Sequence, residues 1–217
     1  MKAQDIYNIL RAGGLSRAGA LGVIGNMWAE STLKENIAQR GMTKLTDDQY
    51  TAAADNGLLD FVRDAVGYGL CQWTYHTRKK ALLDYAKQNG VSVSNGIMQV
   101  SFCLKELRED FIQVFDTLCS SNNIDECVDL VCVRYESPAV NNYRTRREAA
   151  YRYAEECVDE TPKEEKEFPV NPSIGTLQLV MQANGYWGEV TGRYSSAFMK
   201  ALLDFAEGIK LTWEGHK

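Results

Sequence analysis

Over roughly the first 158 residues, apolar positions recur three and four apart, the spacing that puts them on one face of an α-helix. The clearest run covers 98–118. There Cys103, Leu104, Leu107, Phe111, Val114, Phe115 and Leu118 keep one register and predict a single long amphipathic helix. Ser16 can cap a helix over 17–30, whose small residues suit close packing although three glycines weaken its propensity. Thr46-Asp47-Asp48-Gln49 has the spacing of a capping box and opens a short helix. Leu82, Leu83, Tyr85 and Ala86 continue a helix that Gly90 can close. Asn123 can cap another over 124–134, and a last one reads over 142–157. The predicted fold class is mainly α.

After residue 158 the pattern changes. Residues 159–170 are charged, bracketed by Pro162 and Pro169, and poor in apolar side chains, as in a solvated acidic linker. Residues 171–217 form a second, smaller part, which folds alone only if compact and well packed. The predicted organisation is therefore a helical domain over 1–158, a linker over 159–170 and a small helical module over 171–217.

Charge and composition narrow the chemistry. A net charge of −5 gives no attraction to a phosphate backbone, so nucleic acid is not an expected partner. No apolar run reaches the roughly 18 residues that span a bilayer. The N-terminal residues lack the apolar stretch of a secretory signal, so synthesis in the cytoplasm is expected. The two histidines, His76 and His216, cannot supply a zinc hydrolase with its usual imidazoles, and a Ser-His or Cys-His centre would rest on His76 alone. A thiol peptidase built on Cys71 has the same shortage. The six cysteines form no CxxC pair and read as buried free thiols. Neither a metal nor a cofactor is expected. Hydrolysis by carboxylates is the chemistry left open.

One carboxyl stands out. Glu30 ends an otherwise apolar helix behind Met27, Trp28 and Ala29. A carboxyl held away from water favours its protonated form, and a protonated acid is what a glycosidase needs to protonate a leaving oxygen. A surface glutamate at a helix end is the plain alternative. Downstream, Gly67-Tyr68-Gly69-Leu70-Cys71-Gln72-Trp73-Thr74 offers a tight turn, an amide and a flat aromatic face, a combination suited to holding a sugar ring. A buried turn containing Trp73 explains it equally well when it is taken alone.

Taken together, these stretches resemble the phage-tail lysozyme family of the lysozyme-like superfamily. The resemblance rests on five ordered motifs over roughly 4–157: Glu30-Ser31, Tyr50-Thr51 with Asp55-Asn56-Gly57, Gly67 to Thr74, Arg78-Lys79, and Tyr135-Glu136-Ser137-Pro138. It implies a helical, goose-type-like muramidase fold that cuts the β-1,4 bond between N-acetylmuramic acid and N-acetylglucosamine, with Glu30 as the catalytic acid. It also implies Ser31, Tyr68, Gln72, Trp73 and Tyr135 as substrate contacts. Asp55 and Asp64 are the candidates for a second carboxylate. An inverting base would stand roughly 6.5–9.5 Å from the acid and a retaining nucleophile about 5–5.5 Å. A single-acid mechanism assisted by the substrate acetamide stays open. So does a lytic transglycosylase using the same Glu30, or a non-catalytic wall-binding protein. Glu136 reads as structural, paired with Arg144 or Arg147, while Arg146 and Arg147 read as solvated.

The segment from Ile174 to Trp187 resembles the three-helix peptidoglycan-binding domain, which implies Tyr186 and Trp187 as wall contacts; Thr191 and Ala206 replace that family's aspartate and glutamine. The expected whole is a monomeric bacteriolytic enzyme acting on bacterial peptidoglycan. It would reach the wall after holin-dependent release or as part of a phage particle.

Overall fold

A computed structural model describes residues 1–159. In chain order the elements are α1 (Ala3–Ala12), α2 (Arg17–Ser31), α3 (Asp47–Asp55), α4 (His76–Gln88), α5 (Gly96–Glu109), α6 (Ile112–Ser120) and α7 (Ile124–Leu130). A π turn (Val131–Glu136) and α8 (Tyr143–Glu156) complete them, and no strand occurs among the described residues. The predicted mainly α, lysozyme-like class holds for this part of the chain. The predicted linker and C-terminal module lie outside the described residues, apart from Asp159.

The caps form where local sequence specifies them. Ser16 Oγ accepts from the Gly19 amide at 2.9 Å and lies 2.6 Å from the Ser121 carbonyl, so one hydroxyl both starts α2 and ties it to the end of α6. Thr46 and Gln49 exchange both bonds of a capping box at the start of α3. Asn123 and Asn142 cap α7 and α8 through the Glu126 and Thr145 amides.

α2 is enclosed on nearly every side, with 11 of its 15 residues buried. Its low propensity is offset by packing, because all three of its glycines, Gly19, Gly22 and Gly25, let neighbouring chain approach. A Cβ on Gly25 would lie 2.5 Å from the Arg146 carbonyl oxygen on α8. One on Gly22 would lie 2.7 Å from Cys127 Cβ on α7. A larger residue at either place would push a helix away.

Two predicted helices are interrupted. The run over 98–118 divides at Asp110 and Phe111, where the Asp110 and Phe111 amides both bond the Glu106 carbonyl and the chain turns from α5 into α6. Phe111 then packs edge-on against Tyr135 at 5.2 Å and lies beneath the Arg78 guanidinium. Its side chain keeps the apolar register while the backbone bends, which is why periodicity runs straight through the break. The helix over 124–134 changes at Val131 into the π turn, after which Ser137 adopts a left-handed φ of 46°.

Asp64 is half-buried and pairs with a lysine of the core. Lys79 on α4 is 0% exposed, and its ammonium bonds Asp64 at 2.5 Å, the Val66 carbonyl at 2.7 Å and Tyr50 Oη at 3.0 Å. Tyr50 Oη in turn donates to Asp64 at 2.7 Å, and the ammonium lies 4.2 Å from the Phe61 ring centre. Burial lowers the Lys79 pKa and the Asp64 charge works against that. All six cysteines are free thiols, five of them buried. Asp64→Ala would leave a buried ammonium without its counter-charge, so we expect a loss of about 3–5 kcal/mol in denaturant unfolding; a loss under ~1 kcal/mol would show that Asp64 does not carry the core in this way.

Candidate active site

Glu30 occupies the last turn of α2. The chain leaves that helix through two left-handed residues, Thr32 (φ 53°) and Leu33 (φ 60°). Ser31, beside it, is buried, its Oγ lying 2.8 Å from the Met27 carbonyl and 3.0 Å from that of Leu70. Ser31 therefore pins the end of α2 to the glycine-rich turn. That turn closes on itself through paired Tyr68 and Trp73 backbone bonds of 3.2 and 3.0 Å. Gly69 and Gln72 take left-handed φ values of 74° and 45° within it. Gln99 holds it from α5, accepting from the Leu70 amide and donating to the Glu35 and Val93 carbonyls.

The carboxyl of Glu30 meets a guanidinium. Arg146 Nη2 donates to Glu30 Oε1 at 2.5 Å, and Arg146 Nη1 donates to Asn26 Oδ1 at 2.8 Å. Asn26 is itself fixed by bonds to the Gly22 and Val128 carbonyls. The Arg146 side chain is 5% exposed and that of Glu30 20%, so the pair is anchored inside and opens outward. Charge on α8 that reads as solvated in the sequence is thus a buried pairing to Glu30. The apolar enclosure expected of Glu30 is replaced by this cation.

Glu30 opens on a cavity of about 560 Å³. Gln39, Arg40, Gln72, Thr74, Tyr75 and Glu136 contribute to its wall. Glu136 ends the π turn and has an unusual position. The residue is half-buried, yet its Oε1 is closed off from solvent and has no hydrogen-bond partner. Neither basic residue expected to pair with it does so: Arg144 bonds Glu148, and Arg147 bonds Asp129. Burial, then the Glu30 charge, hold the Glu136 carboxyl well above the usual carboxylate range, against the pull of Arg78 and Arg146.

The remaining candidate residues divide clearly. Gln72 lines the cavity, with its amide committed to the Ile37 and Gly69 carbonyls at 3.2 and 3.1 Å. Trp73 and Tyr135 are buried behind the wall. Both donate to Glu106, which also receives two bonds from Arg78, at distances between 2.6 and 2.9 Å. Tyr68 is buried too, bonded to Thr51 and stacked on Tyr50. The exposed aromatic face expected of Trp73 is supplied two residues later by Tyr75, which is 64% exposed. Asp55 accepts from Ser92 Oγ and the Val93 amide, away from the residues that line the cavity. Asp64 serves Lys79. Tyr186 and Trp187 lie outside the described residues. Cys71 reaches the cavity wall, but burial beside Cys103 raises its thiol pKa well above the ordinary value, opposite to what a nucleophile needs.

In this helical domain the helix-end Glu30 and part of the glycine-rich turn border one polar cavity. Residues 1–156 match the family described as phage tail lysozyme. The chain belongs to that family. No curated protein matches it. Membership makes the chain a peptidoglycan-lytic enzyme that acts on the cell wall. Among the described residues no helix is long and apolar enough to cross a membrane, and no group of three or more His, Cys, Asp or Glu could hold a metal ion.

The position of Glu136 has a consequence for stability. Because its pKa is raised on folding, the folded chain binds this proton more tightly than the unfolded chain does. Its contribution is full below the unfolded value of about 4.3 and declines as pH rises from there towards the raised folded value. Glu136→Gln keeps the shape and removes the titration. Melting temperature against pH should therefore fall less steeply above pH ~4.3 in the variant than in the parent chain; parallel curves would mean that Glu136 ionises freely.

Proposed function

We propose that the chain is an N-acetylmuramidase, hydrolysing the β-1,4 bond between N-acetylmuramic acid and N-acetylglucosamine with Glu30 as general acid. The observation that carries this reading is the Glu30 carboxyl at the mouth of a polar cavity, gripped from inside by Arg146. Arg146 engages Oε1, and no donor among the described residues reaches Oε2, the oxygen available to carry the proton. When that proton passes to the glycosidic oxygen, Glu30 becomes a carboxylate already facing a fixed guanidinium. A preorganised charge of this kind favours the transition state, in which the negative charge develops. Water then adds at the sugar C1.

A second reading has its own support. With Asp64 committed to Lys79 and Asp55 outside the cavity wall, a mechanism with one acid and a nucleophile from the substrate fits the same cavity. A lytic transglycosylase would use Glu30 in this way. For access to the wall, we propose holin-dependent release or transport within a phage particle. Wall binding by residues 171–217, through Tyr186 and Trp187, is likewise our proposal.

Glu30→Gln keeps an oxygen for Arg146 and removes the transferable proton. Lysis of wall suspensions should fall by at least ~100-fold, the lower end of a general acid's contribution, while the chain still folds. Near-normal lysis by the folded variant would end the Glu30 assignment. A chain ending at Asp159 should still cut soluble wall fragments yet sediment less with intact walls; equal sedimentation would remove the binding module from the account.

A further inference from the structure

The cavity on which Glu30 opens shares two wall residues with a second one. Tyr75, the residue before α4, and Arg78, in its first turn, also border a cavity of about 630 Å³ between α4 and α5. Arg78 is held in place by Glu106 and the Tyr135 carbonyl. Tyr75 is not held in that way. It is 64% exposed, its hydroxyl has no hydrogen-bond partner among the described residues, and its ring meets one other ring, that of His76, at 4.5 Å. Its backbone is nonetheless fixed, because its carbonyl accepts from the amide of the buried Lys79 at 2.9 Å. A large aromatic side chain is thus presented to water from a rigid base, at the junction of two cavities.

A glycan strand is longer than the bond it loses, so it must continue past Glu30. A sugar ring offers flat faces of C–H groups and a rim of polar substituents, and a tyrosine matches it with an apolar face and a wet polar tip. Ordering such a side chain fixes only two torsions, so the cost is low. Tyr75 is the one aromatic residue that borders the Glu30 cavity among the described residues. The α4–α5 cavity continues the same chemistry, with Tyr85 and Phe102 beside the charged Asp84, Lys105 and Asp110. A third cavity that Tyr75 borders, walled by Val62, Arg63, Ala65 and His76, has no carboxylate or amide side chain to meet hydroxyls. We propose that Tyr75 is a substrate-positioning residue, its ring stacking on a sugar where the strand passes from the Glu30 cavity into the α4–α5 cavity. This rests on the glycan reading given above. It makes the enzyme prefer long strands, which gain the second cavity, over short ones.

The test uses the full chain with Glu30→Gln, so that nothing turns over. Its ligands are peptide-free strands of alternating N-acetylglucosamine and N-acetylmuramic acid, one a tetramer and one an octamer. Calorimetry should give tighter binding of the octamer by at least about 10-fold, the scale of one stacked ring with the area it buries. Adding Tyr75→Ala should remove most of that gain and leave the melting temperature unchanged, since the side chain is largely exposed. Adding Tyr75→Phe should keep the gain, because stacking uses the face of the ring. An undiminished gain with Tyr75→Ala, or an equal loss with Tyr75→Phe, overturns the proposal and leaves the glycan reading standing. So does a Tyr75→Ala variant that weakens tetramer and octamer alike. A gain that appears only on strands keeping their stem peptides assigns the second cavity to the peptide and also overturns the proposal. Failure of the Glu30→Gln chain to bind any strand overturns both.

Discussion

Arg146 places a positive charge where water barely reaches it, and a charge so placed must be paired by the protein itself. Asn26 and Glu30, one turn apart on α2, provide that pairing, so α2 and α8 are held in one register. Gly25 makes the register possible by letting the backbone of Arg146 come within reach of α2. The same contact that stabilises the helix pair fixes the direction in which the Glu30 carboxyl points. Fold and site meet in this one interaction.

The buried or half-buried glutamates around the cavity form a graded series. Glu106 receives four hydrogen bonds, from Trp73, Tyr135 and Arg78, and is satisfied on both oxygens. Its work is structural: it locks the glycine-rich turn, α4 and the π turn to α5, and thereby positions Gln72 and Glu136. Glu30 is held on one oxygen and open on the other. Glu136 has no partner on its buried oxygen. Satisfaction thus falls from Glu106 through Glu30 to Glu136, as expected where stability is given up locally for binding or chemistry.

Much of the fold could be read from the sequence because its signals are local. Ser16, Thr46, Asn123 and Asn142 act on amides within three residues of themselves, and each cap forms. The break at Asp110 and the π turn carry no glycine or proline and depend on contacts with Tyr135 and Arg78 that are distant in sequence. The same distinction applies to the site. Glu30 is marked as a candidate by its motif, whereas its partner Arg146 lies 116 residues away on a helix so rich in charge that pairing and solvation look alike. Trp73 and Tyr135 fit a sugar-binding pattern equally well as residue types, and only their shared bond to Glu106 reveals them as supports. Asp64 could be recognised as structural only once the buried ammonium of Lys79 was in view.

The central claim is that Glu30 directs hydrolysis of a glycosidic bond. Mass spectrometry of purified peptidoglycan digested in heavy-oxygen water tests it most directly. Hydrolysis as described here leaves N-acetylmuramic acid at the new reducing ends, each carrying one oxygen from the labelled water, and no such product with Glu30→Gln. Anhydro sugar ends without label would assign the chain to the lytic transglycosylases, and new amino termini with intact glycan would contradict the account altogether.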